Sequence, residues 1–316
     1  TYNFMHVMFS AIFTILSASK KSKLYITSAQ SPRGLMRDFL FIVCGIIKQH
    51  EIIMHVHGGG IGETIKRGSK VTNFLASIIY NRASLILVLH DFYLDMFEAI
   101  NIARDKIIVL PNFLPETERS DPEIPHKETK IIQLLYLSNL IPSKGYLHCL
   151  NACEIMLQQD FLDFQIKFCG TFLAHQGMSA EECKMEFLSL IQKKGLQKHV
   201  IYEGNVFGDK KQEIFQEADF FLLPSSYPNE GIPISIIEAL KYQCIVITSD
   251  YRALPLMIDN GKSGFAIEPT PEKISDCIRE VFDKGNLEDL KVKSGIFFEK
   301  TYSAKIAEEK IRNIFS

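Results

Sequence analysis

FLLPSSYPNEGIPISIIEAL, residues 221–240, holds the reading that decides the fold. An apolar run closes at Pro224, a polar turn follows, and a helical apolar period begins near Ile232–Pro233. A buried strand passing through a turn into a helix is the unit from which doubly wound α/β domains are built. Glu230 and Gly231 then lie in the loop at a helix N-terminus, where backbone amides and the positive end of the helix dipole favour a phosphate. Gly231 lets backbone approach a ligand closely. Glu238 falls in the first two turns of the helix, and carboxylates in such places suit paired sugar or ribose hydroxyls. The plainer reading makes Glu230 a solvated loop residue and Glu238 a surface helical one. A glycosidase pair fits poorly: eight helical residues separate the backbones by about 12 Å, against roughly 5–9.5 Å between the carboxyls of such pairs.

Outward from this stretch, short runs rich in Ile, Val, Leu and Phe alternate with amphipathic segments. Strands are expected at 24–28, 52–57, 84–90, 106–110, 131–138, 164–170, 200–202, 219–224, 244–248 and 264–267, with helices at 35–49 and 71–81 among the connections. Such alternation implies parallel sheets covered on both faces. Ser179 and Glu182 form a candidate capping box, and Thr270-Pro271 opens a helix that Gly285 ends. Residues 111–130 carry four prolines and dense charge, and nothing in them could bury a core face. The expected organisation is a domain over 1–115, a linker over 116–130, a second domain over 131–301 and a closing helix over 302–316 that crosses back to the first. The ligand site is expected in the groove between two domains, at the carboxyl ends of their strands.

Two further stretches carry candidate chemistry. In YLSNLIPSKGYLHCL (136–150) a strand ends near Ser138, and Lys144 sits in the loop before a helix, where its ammonium could neutralise a departing diphosphate. A solvated loop lysine is the alternative. In IIMHVHGGGIGE (52–63) His57 closes a strand and Gly58, Gly59 and Gly60 follow. This is not a dinucleotide fingerprint, because Glu63 stands where the third glycine is needed. A flexible glycine loop suits a cleft wall that closes on sugar, with a structural strand-end histidine as the alternative.

Composition narrows the class. The chain has 316 residues, 47% apolar and 23% charged, which suits two cored domains. A net charge of −2 argues against a nucleic-acid binder. Seven scattered cysteines without a Cys-x-x-Cys pair read as buried thiols of a cytoplasmic protein, and Cys149 and Cys153 lack partners for a zinc set. Met5–Ala18 is too short to span a bilayer and lacks a basic leader; it is read as a buried helix, with a helix resting on the inner membrane surface as the alternative.

Glu230 to Glu238 forms a Glu-x7-Glu pattern, and YLSNLIPSKG, EGNV and HVHGGG accompany it. On these motifs the chain, from about Ser28 onward, resembles family 4 of the retaining glycosyltransferases, of the α/β GT-B fold, in which two Rossmann-like domains face each other across a cleft. The resemblance implies that Glu230 meets donor-sugar hydroxyls, Glu238 the ribose, and Lys144 the diphosphate. It places the amides of Gly231 and Ile232 near the phosphates, Gly204, Asn205 and Val206 beside the base, and His57 toward the transferred sugar. Asn139 occupies a donor-site position where many members carry arginine, and Leu256 one where glutamate is frequent. Nothing at the start resembles the family's opening strand and glycine-rich loop, so the first domain is expected to be truncated.

The expected activity is transfer of a hexose from a UDP- or GDP-sugar to a saccharide or lipid-linked acceptor, with retention, in cell-surface polysaccharide synthesis. No cofactor or metal is expected, since no Asp-x-Asp ligand pair occurs. A non-catalytic nucleotide-sugar-binding subunit and a nucleotide-sugar epimerase are the alternatives.

Overall fold

The computed structural model describes residues 2–115 and 131–315; the linker expected at 116–130 lies outside them. Two compact units form, one of Thr1–Asn112 with Asn229–Ile232, the other of Phe113–Pro228 with Pro233–Ser316.

The first unit runs α1 (Tyr2–Ser17), β1 (Lys23–Thr27), α2 (Pro32–Ile47), β2 (Glu51–Val56), α3 (Gly60–Lys66), α4 (Lys70–Arg82), β3 (Leu85–Val88) and β4 (Ile107–Val109). Its sheet is parallel, in the order β1-β2-β3-β4. Local chemistry starts the helices where the residues direct. Ser31 accepts the Gly34 amide and Pro32 opens α2. The buried Asp38 accepts the Ala29 amide at 2.8 Å and pairs with Arg37, while Ser28 and Tyr80 hydrogen-bond at 2.5 Å, so the β1–α2 turn is held from two sides.

Two expectations fail here. The Met5–Ala18 segment forms a helix that ends at Ser17, but of its apolar side chains Ile15 alone is buried, and Phe9 is 65% and Phe13 73% exposed. His6, Ser10, Thr14 and Ser17 trace one polar face of this helix; α1 packs on α2, and among the described residues no second layer covers its outward apolar side chains. Gly58–Gly60 is not a free loop either, since Gly60 already begins α3. The cause is Gln30, whose side-chain oxygen accepts the Ile61 amide at 2.9 Å and whose carbonyl accepts the Thr64 hydroxyl at 2.9 Å. A side chain from the β1–α2 turn thus supplies the helix cap that the glycines lack.

The second unit contains β5 (Ile132–Leu137), α5 (Tyr146–Gln158), β6 (Phe164–Cys169), α6 (Ala180–Lys193), β7 (Val200–Gly204), α7 (Gly208–Glu217) and β8 (Phe220–Leu223). It continues with α8 (Ile234–Lys241), β9 (Ile245–Ser249), β10 (Gly264–Ile267), α9 (Pro271–Asp283), α10 (Leu287–Thr301) and α11 (Ala304–Phe315). The Ser179–Glu182 capping box and the Thr270 cap are both present. All pairings are parallel, in the order β10-β9-β8-β5-β6-β7. From β5 the chain therefore builds outward through β6 and β7, then returns to the other side of β5 for β8, β9 and β10. The order reverses between β5 and β8. The centre of this sheet is dry: Tyr136, Phe168, Phe220 and Phe221 are all fully buried.

Candidate functional site

In open α/β sheets, ligands bind beyond the carboxyl ends of the strands where the order reverses, because the two flanking loops part there. In the second unit those loops follow β5 and β8, and they are tied together. The Ser143 carbonyl accepts the Ser226 amide at 2.7 Å. Gly145 adopts φ +86°, and a Cβ there would lie 2.3 Å from the Pro224 carbonyl oxygen, so glycine alone fits. Lys144, half-buried between these anchors, places its ammonium 5.0 Å from the Tyr227 ring centroid. Arg252, at φ +54°, donates to the Pro228 carbonyl at 2.6 Å and braces the far end of the same loop. A fixed cation thus stands at the strand-order reversal.

The other donor-site candidates of this unit line neighbouring strand ends. The Gly204 carbonyl, closing β7, accepts the Gly170 amide at 2.8 Å, and Asn205 accepts the Thr171 hydroxyl at 2.6 Å. Asn205 is exposed and Val206 half-buried. Asn139 is exposed, and its carbonyl accepts the Tyr136 hydroxyl at 3.2 Å. Glu238 is not a free surface carboxylate: Lys211 of α7 meets it at 2.6 Å. Helix α8 starts at Ile234, two residues later than the apolar period indicates, because Pro233 takes the cap position.

Glu230, Gly231 and Ile232 belong by their contacts to the first unit. Glu230 is 4% exposed, so it is not a solvated loop residue. The Tyr93 hydroxyl donates to its carbonyl at 3.5 Å, and Asn112 donates to the Ile232 carbonyl at 3.0 Å. A Cβ at Gly231 would sit 3.4 Å from both the Gly58 Cα and the His57 carbonyl oxygen. Two backbone turns therefore meet, at His57–Gly58 and at Gly231.

His57 is exposed, and its ring centroid lies 4.0 Å from that of His55, the preceding residue on the same strand face. His55 is buried and hydrogen-bonds through Nδ1 with the Tyr25 hydroxyl. Burial first, and the neighbouring His57 second, push the His55 pKa down to about 4; burial also lowers that of His57. The folded state thus disfavours a proton that the unfolded chain accepts near pH 6.5. The stability this neutral imidazole contributes is complete above about pH 6.5 and is lost as pH falls toward 4. The expected cost is about 3 kcal/mol over that window. Denaturant titrations at stepped pH should show it, and His55→Phe should flatten that part of the profile; an unchanged slope in the variant would contradict the assignment.

Lys211, Tyr93, Asn112 and Gln30 were not among the expected site residues. Lys211 follows EGNV closely and could have been noticed as a cation near that motif. The other three act through contacts remote in sequence, which no local pattern records.

The family model for glycosyl transferases group 1 matches residues 116–295. Among curated relatives, the capsular polysaccharide biosynthesis glycosyltransferase CapH of Staphylococcus aureus is 26% identical over 48% of this chain and 39% of its own length. The alpha-galactosylglucosyldiacylglycerol synthase of Streptococcus pneumoniae is 24% identical over 80% of this chain and 67% of its own. The chain thus spans less than half the length of the first of these relatives. Among solved structures, Anabaena HepE in complex with UDP superposes with a TM-score of 0.75 at 15% identity, covering 98% of this chain and 81% of that one. A glycosyltransferase from Rickettsia africae gives 0.75 at 16%, over the same shares. Two parallel-sheet Rossmann-like units and these superpositions make the fold GT-B. Since the matched stretch exceeds half of its residues, the chain belongs to the glycosyl transferases group 1 family.

Proposed function

We propose that this protein transfers a hexose from a UDP- or GDP-linked donor to a hydroxyl of a saccharide or lipid-linked acceptor, with retention, in the synthesis of a cell-surface glycan. The observation that carries the reading is the clamped Lys144 loop at the strand-order reversal of the second unit. As the anomeric C–O bond breaks, charge grows on the leaving diphosphate, and a cation already held in place stabilises it without reorganisation. The chain has no Asp-x-Asp pair, so this task is assigned to Lys144. Glu238, balanced by Lys211, is assigned to the ribose, Gly204–Val206 to the base, and Asn139 to the edge of the donor site. Glu230, the amides of Gly231 and Ile232, and His57 are assigned to the donor's sugar and phosphates. The reading is supported by the HepE structure, which contains UDP, and by relatives named for capsular polysaccharide and glycolipid synthesis.

The test is an NMR time course with UDP- and GDP-hexoses, with and without a panel of saccharide and lipid-linked acceptors. A new glycosidic bond with the donor's anomeric configuration is expected. Donor binding without transfer would leave a nucleotide-sugar-binding subunit, and an altered donor without acceptor would indicate an epimerase; either result overturns the proposal.

A further inference from the structure

The turn that leaves β9 carries an arginine where the backbone geometry favours glycine. Arg252 adopts φ +54° and Ala253 φ −87°, and the Leu254 amide closes the turn on the Tyr251 carbonyl at 3.2 Å. A positive φ at the first central residue and a negative one at the second define a type II′ turn, whose first central position ordinarily belongs to glycine. Among the described residues, Gln49, Asn101, Asp160 and Gln243 share a positive φ, but each lies just past a helix end, where a left-handed residue is common. Lys21 and Gln176 are exposed turn residues. Arg252 ends no helix and is half-buried. A side chain kept there holds the backbone under strain, and such strain collects where the side chain is used.

The side chain reaches the neighbouring loop. Its Nη1 donates to the Pro228 carbonyl at 2.6 Å, and the strand ends are tied as well, since the Ser249 hydroxyl donates to the Ser225 carbonyl. Pro228 follows Tyr227, whose ring centroid lies 5.0 Å from the Lys144 ammonium. Two cations, one from the loop after β5 and one from the loop after β9, thus reach adjacent residues of the β8–α8 loop at the carboxyl edge of one sheet. In the assigned reaction the ligand with charge enough for both is the diphosphate. As the anomeric C–O bond breaks, its electron pair passes to the diphosphate oxygen, and the leaving group becomes more negative than the bound donor. One ammonium offsets part of that charge. The loop after β5 offers no second cation, because Asn139 is neutral. A guanidinium's planar fork matches the paired oxygens of adjoining phosphates.

We infer that Arg252 is a second cation of the donor's diphosphate, supplied by the loop after β9 in place of the charge that Asn139 lacks. The inference rests on the sugar-transfer reading, and its test keeps the two apart. Arg252→Gly suits the turn, so the melting temperature should move little although the Pro228 bond is lost. Calorimetric titration of the full chain with UDP or GDP, whichever the wild type binds, should show about tenfold weaker affinity in the variant. The matching nucleoside monophosphate should bind both proteins equally. Turnover of the donor should fall about 10²-fold. Adding Asn139→Arg to Arg252→Gly returns a cation from the β5 side and should recover turnover about tenfold. A residue that merely braced the β8–α8 loop would give equal losses for diphosphate and monophosphate, and no rescue from residue 139. Either of those results, or wild-type turnover in Arg252→Gly, overturns the inference and leaves sugar transfer standing. A wild type that neither binds nucleotide nor transfers sugar overturns both.

Discussion

Replacing Lys144 with alanine is expected to lower kcat for sugar transfer by about 10²–10³, the effect of deleting one preorganised group that meets charge developing in a transition state. KM for the donor should change less, because the diphosphate gains negative charge only as the sugar leaves. The loop that carries the ammonium is held in place rather than free to wander. It is tied to the β8–α8 loop by the Ser226 amide and by the tight approach of Gly145 to Pro224, and Tyr227 lies beneath the ammonium. Those anchors are backbone and ring contacts that survive truncation of the side chain, so the melting temperature should move little. Lys144→Arg keeps the charge but changes its shape and reach, and an intermediate loss is expected. Turnover equal to wild type in the alanine variant would remove the leaving-group role altogether. A loss seen in KM with kcat intact would reassign Lys144 to ground-state binding.

How far the sequence led can be judged from particular elements. The strands were legible because parallel strands covered on both faces must be apolar throughout, and runs such as 220–223 and 245–249 have few other uses. Helix starts at Ser179 and Thr270 were legible because caps are local, made by a side chain and an amide three residues away. The loop that bears Lys144 was legible for a similar reason: it is contiguous in sequence with the strand that it follows. What stayed hidden depended on distant partners. No pattern in HGGGIGE shows that Gln30, some thirty residues earlier, turns the glycines into a helix start. The approach of Gly231 to Gly58 is likewise invisible until the chain is folded, as is the Lys211 ammonium beside Glu238. The exposure of α1 was misread because apolar content reports how a segment partitions and not what covers it. A mostly apolar helix can end in a core or on a surface, and Phe13 lies on a surface.

The strand that carries the β8–α8 loop at one end is fixed at the other by a buried ion pair, and cutting that pair should be the most destabilising single change argued for this fold. Asp219, just before β8, has one carboxylate oxygen 2.8 Å from the Lys291 ammonium of α10 and the other accepting the Gln133 amide at 2.9 Å. Its own amide donates to the Gln133 carbonyl and its carbonyl accepts the Ile245 amide, each at 2.8 Å. One residue thereby registers β8 against both β5 and β9. Lys291 and Asp219 are each 5% exposed, so Lys291→Met strands a carboxylate where water cannot solvate it. The expected loss is about 3–5 kcal/mol in chemical denaturation. Adding Asp219→Asn to Lys291→Met removes the stranded charge while keeping an oxygen for the Gln133 amide, and should recover most of the loss. A single variant within about 1 kcal/mol of wild type would show that the pair holds nothing. Because the pair sits at the amino end of β8 and Lys144 beyond the carboxyl ends, the variant should retain its kcat well below its melting temperature. Lys144→Ala should do the reverse, and that crossed result would separate the groups that hold the sheet from those that use it.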